Sequence, residues 1–241
     1  NVNLPILNNV LIEAGAGNIK LTATNLEVGV VCFVRGKIEE EGVFTVDSKI
    51  ISDYISLLPN KKINMEKKDG GLIIEAENYK TKITGQEAEE FPLIPTVEKN
   101  IFFSAKADDF KKALAQTVFA VSINETRLEL SGVLFDFGQD KLIIAATDSY
   151  RLAEKELEIK TNSDEAGRRV IVPARTIQEL IRILSGARVE GGDGEEIKFY
   201  LSDNQILFTI GQTDLVSRLI EGQYPDYKQI IPKEFVTEAV V

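Results

Sequence analysis

Histidine is absent from this 241-residue chain. That absence removes the commonest general base and the commonest zinc ligand, and with them every Ser-His or Cys-His nucleophile pair. Cysteine occurs once, so no disulfide can form within the chain. The setting of Cys32, VVCFV, reads as a buried strand position rather than a nucleophile, and the pattern suits a cytoplasmic protein. No apolar run approaches the ~18 residues of a membrane span, so no membrane association is expected. No GK[ST] phosphate loop occurs, and Gly15-Ala16-Gly17 lacks the third glycine of a dinucleotide fingerprint. The acidic runs at 39–41 and at Glu87, Glu89 and Glu90 lack metal-ligand spacing and read as solvated surface. A basic excess is missing too: 38 acids face 28 cations, a net charge of -10, which argues against gripping a polyanion by bulk charge. The expectation is a protein without catalytic residues, metal or cofactor.

What the chain does have is a repeat. LSGVLFDFGQDKLIIAAT, Leu130 to Thr147, rewrites LNNVLIEAGAGNIKLTAT, Leu7 to Thr24, without a gap at an offset of 123 residues. Leu7/Leu130, Val10/Val133, Leu11/Leu134, Gly15/Gly138, Ala23/Ala146 and Thr24/Thr147 are identical pairs. TVDSKIISDYISLLP from Thr45 answers IVPARTIQELIRILS from Ile171 at 126, and Phe91-Pro92 answers Tyr224-Pro225 at 133. The offset grows through longer connections in the second copy, chiefly GARVEGGDGEE, as cheap loop insertions would make it do. A domain-sized repeat places function in the assembly of copies, or in whatever distinguishes one from the next.

With 44% hydrophobic content, two ordinary domains can each bury a core. The predicted boundaries are 1–98, 99–232 and 233–241. NIFFSAKADDFKKALAQTVFAVS, a strand and helix opening the second copy, has no counterpart in the first, so the chain reads as starting inside its first repeat. EFVTEAVV at the other end reads as the first strand of a third copy. Strand signals include Val10 to Ala14, Ile19 to Ala23, Leu72 to Ala76, Val133 to Phe137, Leu142 to Ala146, Lys198 to Leu201 and Ile206 to Ile210. Three helices are predicted: Ser48 to Leu58 with Asp47 as N-cap, Ala107 to Val121 with Asp108 and Asp109 at its positive end, and a third from Pro173 to Leu184. The class is α+β, tandem repeated domains with helices on one side and antiparallel sheets on the other. On the third helix Ile177, Leu180, Ile181 and Leu184 form the apolar stripe, leaving Arg175 and Arg182 opposite. Lys49 holds the place of Arg175 in the first copy, and Lys112 and Gln116 lie outside the second helix. A cation repeated at matched positions suggests a shared basic surface.

The copies part after the shared threonine. The first reads TNLEVGV and continues as plain strand; the second reads TDSYRLA and acquires Tyr150, Arg151 and Leu152. AATDSYRLAEKEL from Ala145 resembles a hallmark segment of the bacterial DNA polymerase III beta subunit family, the sliding clamps. So do LPILNNVLIEA from Leu4, VIVPARTIQELIRIL from Val170 and LIEGQYPDYKQIIP from Leu219, in the family's order and spacing over nearly the whole chain.

The resemblance implies three similar domains per chain. Two chains, a homodimer, close head-to-tail into a ring around duplex DNA, with helices lining the hole and sheets outside. It implies a processivity factor, not an enzyme. DNA contact would be sequence-independent, made by Lys49, Lys112, Arg175 and Arg182, with Arg127 matching a family position near DNA. Leu128 and Glu129 depart from the polar or aromatic contacts of some clamps. It further implies a pocket for hydrophobic linear motifs of the DNA polymerase III alpha subunit, the clamp loader, other polymerases and repair proteins. The matching residues are Leu130, Thr147, Tyr150, Arg151, Leu152, Pro225, Gln229 and Ile230. Leu130, Leu152, Pro225 and Ile230 would supply apolar walls, and Thr147 and Arg151 hydrogen bonds. Tyr150 and Gln229 replace the histidine and arginine of some members. The competing reading of the residues alone is a repeated α/β scaffold that binds a protein or small ligand without touching DNA.

Overall fold

The computed structural model describes residues 4–15, 17–124, 126–162, 167–186 and 196–231, together with Glu234 and Thr237. Most of the glycine-acid loop and of the closing EFVTEAVV lies outside the described residues.

The first copy opens with a 3-10 turn, Pro5–Asn8, and continues through β1 (Asn9–Gly15), β2 (Asn18–Thr24), β3 (Val28–Arg35) and β4 (Gly42–Asp47) to α1 (Ser48–Leu57). Three strands follow: β5 (Asn64–Lys68), β6 (Gly71–Ala76) and β7 (Tyr79–Gln86). The second copy prefixes β8 (Phe103–Lys106) and α2 (Ala107–Ala115). It then repeats the pattern as a 3-10 turn at Leu128–Leu130, β9 (Gly132–Phe137), β10 (Lys141–Thr147), β11 (Leu152–Glu158), the short β12 (Lys160–Thr161) and β13 (Arg168–Pro173). It ends with α3 (Ala174–Gly186), β14 (Glu196–Leu201), β15 (Gln205–Ile210) and β16 (Thr213–Arg218). β2 and β10 begin and end at the same 123-residue offset read from the sequence.

Local chemistry explains the helix limits. Asp47 caps α1, its carboxylate accepting the Ile50 N–H at 2.9 Å. Leu58, forced towards extended backbone by Pro59, ends it. The predicted helix from Ala107 to Val121 is shorter than expected. The Thr117 hydroxyl donates to the Ala113 carbonyl at 2.9 Å and sits 3.2 Å from that of Leu114, and the chain tightens into a 3-10 turn at Val118–Ala120. Pro173 closes β13 instead of opening α3. Cys32 lies in β3 but is only half-buried.

The strands form a twelve-stranded sheet, β12-β8-β14-β15-β16-β3-β2-β1-β4-β7-β6-β5, and a four-stranded sheet, β11-β10-β9-β13. The long sheet crosses the boundary between copies at one seam, where Leu215 pairs with Val30 and Ser217 with Val28. Gly29, opposite Val216, leaves room for the connecting segment: a Cβ there would meet the Ile94 Cδ1 at 2.6 Å. Val97 from the same segment packs with Tyr200, Leu207 and Val216, and Lys99 pairs with Asp214 at 2.9 Å.

In the second copy α2 and α3 lie against each other and share one core with both sheets. Its centre is a cluster of phenylalanines, with Phe110–Phe135 and Phe199–Phe208 meeting edge to face. The alternating side chains of the four-stranded sheet split between two faces. Val133, Phe135 and Ile144 enter that core; Leu134, Ala145 and Ile171 point the other way, into a separate cluster with Leu130, Tyr224 and Tyr227. Gly132 lets the segment after β16 lie on this second face. A Cβ there would sit 2.6 Å from Ile171, 2.8 Å from Ile220 and 2.8 Å from the Val172 carbonyl oxygen.

Because one of those obstacles is backbone, Gly132→Ala is expected to cost about 2 kcal/mol. This would lower the melting temperature by roughly 4–8 °C. Gly42→Ala, where a Cβ meets nothing within 4 Å, serves as the control and should leave the melt unchanged. Calorimetry of the two variants checks both outcomes.

Candidate functional site

The turn between β10 and β11 is built from its own sequence. Ser149 adopts φ 77°, and the Thr147 Oγ1 accepts the Ser149 N–H at 3.1 Å while donating to the Arg151 carbonyl at 2.7 Å. The Asp148 carboxylate accepts the N–H groups of Tyr150 and Arg151, both at 3.0 Å. Those two backbone donors, with the Arg151 guanidinium in support, hold the Asp148 carboxyl below its usual range. The first copy makes the same turn: Leu26 has φ 75°, its N–H donates to the Thr24 Oγ1, and Asn25 accepts from Glu27 and Val28. The expectation that the first copy runs on as plain strand after Thr24 is therefore corrected. The backbone is shared and only the side chains differ.

Below this turn lies the outer face of the four-stranded sheet. Leu130, 2% exposed, forms its floor with Leu134, Ala145 and Ile171, and Leu152 packs at the edge. The segment after β16 lies across it. The Tyr224 Oη accepts the Thr147 N–H at 3.0 Å, and the Tyr227 hydroxyl donates to the Glu154 carboxylate. The two rings meet edge to face at 6.5 Å. Burial pushes the Tyr224 phenol up to about 12, against the opposing pull of the Thr147 N–H. Burial and then the Glu154 carboxylate raise that of Tyr227.

Beside the turn is a cleft of about 420 Å³, walled by Val121, Ile123, Arg127, Leu130 and Tyr150. Ile123 and Tyr150 are 93% and 98% exposed, so large apolar surface rims an open cavity. Arg151 lines the cleft, paired with Asp148 at 3.0 Å and lying over the Phe119 ring at 5.6 Å.

The structure thus brings together Leu130, Thr147, Tyr150, Arg151 and Leu152. Pro225 is half-buried on the overlying segment, while Gln229 is exposed and donates to Asp226 at 2.7 Å. The Ile230 backbone completes the 3-10 turn Tyr227–Ile230; its side chain lies outside the described residues. Thr147 was expected to offer hydrogen bonds to a ligand, but its hydroxyl and N–H are already engaged within the chain. Its part is to shape the turn. Sequence reading missed Tyr224, Tyr227, Glu154 and Phe119 as site residues. A usable signal was the exchange of Phe91 and Ile94 for Tyr224 and Tyr227 between copies, since buried phenols need partners.

Of the expected basic surface, Lys49 on α1, Lys112 on α2 and Arg175 and Arg182 on α3 are all exposed. Arg182 pairs with Glu179 at 3.2 Å. Arg127 is elsewhere: it pairs with Glu129 at 3.1 Å and donates to the Ser149 Oγ at 3.3 Å, on the cleft wall. Among the described residues no group of three or more His, Cys, Asp or Glu side chains could hold a metal ion, and no helix is long and apolar enough to cross a membrane.

Comparison with known proteins matches this architecture copy by copy. The family model for the N-terminal domain of the DNA polymerase III beta subunit matches residues 1–95, and that for its central domain residues 104–226. The beta sliding clamp of Synechococcus elongatus is 34% identical over 236 residues, covering 97% of this chain and 62% of that protein. Among solved structures, the Bacillus subtilis DNA polymerase sliding clamp superposes with a TM-score of 0.87 at 27% identity, covering 96% of this chain and 62% of that one. A Pseudomonas aeruginosa sliding clamp solved bound to griselimycin gives 0.86 at 28% identity, covering 97% and 62%. The chain spans about 62% of the length of the curated relatives it matches. With both family models in tandem over the repeat, the chain belongs to the DNA polymerase III beta subunit family.

Proposed function

We propose that the protein is a non-catalytic processivity factor: a sliding clamp whose chains close head-to-tail around duplex DNA and tether the replicative polymerase through the second copy. Residues 1–98 and 99–232 are the first two clamp domains in this reading, and 233–241 begin a third.

The seam between copies carries the proposal. β3 of one copy joins β16 of the next through unlike surfaces, and a heterologous join repeats until its rotation closes a ring. The two matching half-seams remain open among the described residues. β11, the counterpart of β3, pairs only with β10. Residues 79–84 of β7, the counterpart of β16, pair only with β6.

A ring also reconciles DNA with a net charge of -10, because topology supplies retention that affinity need not. Lys49, Lys112, Arg175 and Arg182, exposed on helix surfaces, supply weak, sequence-independent phosphate contacts compatible with sliding. Arg127 belongs to the cleft wall in this reading. The apolar cleft and the tyrosine-covered face beside it suit a hydrophobic linear motif, such as those of the DNA polymerase III alpha subunit, the clamp loader and repair proteins. The protein works in the cytoplasm, as a homodimer.

Once loaded, the full-length protein should remain on nicked circular DNA and be lost when the circle is linearised. Equal loss from both substrates sinks the ring. For the pocket, Leu152→Ala should weaken binding of a labelled alpha-subunit motif peptide about tenfold, as truncating a buried anchor does. Lys49→Ala should leave that affinity as it is. An unchanged Kd for Leu152→Ala in fluorescence anisotropy refutes the pocket.

A further inference from the structure

We propose that Glu154 is a positioning residue for the peptide pocket, acting through Tyr227. The inference rests on the pocket reading above and adds a residue that touches no ligand.

Three observations carry it. First, Glu154 sits on β11, two residues from Leu152 and on the same face of the sheet. It pairs across the ladder with Ala145, which itself lies in the floor cluster. Second, Tyr227 is 2% exposed, and its hydroxyl donates to the Glu154 carboxylate. A buried phenol left without this acceptor would keep an unsatisfied donor, so loss of the carboxylate favours an outward shift of the ring. Third, the remaining hydrogen bonds of the 225–231 segment are local: Tyr227 N–H to the Pro225 carbonyl at 2.9 Å, and the Gln229 N–H and side-chain amide to Asp226. Among the described residues, the Tyr227–Glu154 bond is the one hydrogen bond that ties this segment to the sheet.

Pro225 and Gln229 are carried by that segment, and Leu152 and the Thr147 turn by the sheet. At the far end of the segment, the distance between the two walls of the pocket therefore depends on one side-chain hydrogen bond at the sheet edge. Tyr224 fixes the near end of the segment on β10; Glu154 fixes the far end on β11.

The test is a double-mutant cycle in the full-length protein, read by anisotropy of the alpha-subunit motif peptide. Glu154→Ala and Tyr227→Phe should each raise Kd about tenfold, the range of a hydrogen bond to a charged group. The double variant should be no worse than either single one, because both remove the same bond. Glu154→Gln, whose amide oxygen still accepts the phenol proton, should restore most of the affinity. Lys155→Ala, next along β11 on the opposite face, should do nothing. Amide hydrogen exchange should show faster exchange at 225–231 in Glu154→Ala while the Thr147 N–H stays protected. Unchanged affinity in both single variants, or effects that multiply in the double, overturns the positioning role. Wild-type protein that fails to bind the peptide refutes the pocket reading instead, and the exchange measurement then still decides whether Glu154 holds the segment.

Discussion

β16 and β3 pair from Thr213–Cys32 to Ser217–Val28, and further backbone bonds, Phe33 N–H to Gln212 and Arg218 N–H to Glu27, extend the join at both ends. Ile94 and Val97 of the connecting segment seal it on one face. The buried Thr176–Ser217 hydroxyl contact, at 2.7 Å, ties α3 to the same strand from within. The seam thus locks sheet, connection and helix into one arrangement. The helices that bear Lys49, Arg175 and Arg182 take their relative positions from it, as do β11 and residues 79–84 of β7, each paired on one side only among the described residues.

The same seam explains why only the second copy bears a candidate docking site. Both copies make the threonine turn, with the same hydrogen bonds and the same left-handed residue. In the first, the strand leaving the turn is consumed by β16, Gly29 replaces Leu152, and Ile94 closes over it. In the second, β11 is a sheet edge, Tyr224 and Tyr227 lie across the face, and Tyr150 and Arg151 project beside an open cleft. One backbone device serves as a joint in one copy and as a rim in the other. The side chains that follow decide which.

Much of this was legible in the sequence because repetition and period are local or self-comparing signals. The offset of 123 located β1, β2, β9 and β10, and Asp47 announced α1. Matching Lys49 to Arg175 required only the alignment of copies. What stayed hidden depends on which partner each polar side chain finds once the chain is folded. Thr147 looked like a free hydrogen-bonding group until Tyr224 and Arg151 were seen to occupy it. Arg127, which resemblance placed at a family position near DNA, is held on the cleft wall by Glu129 and Ser149. The stop of α2 at Ala115 turned on a threonine hydroxyl bonding back to the helix, which apolar periodicity does not report.

Single-particle electron microscopy of the full-length protein with a short DNA duplex tests the central claim most directly. A closed ring of repeated domains, its sheets continuous across every join and the duplex threading a hole lined by the helices of Lys49, Arg175 and Arg182, is the predicted image. A monomer or open chain of domains, or a duplex lying against the outer sheets, would contradict it.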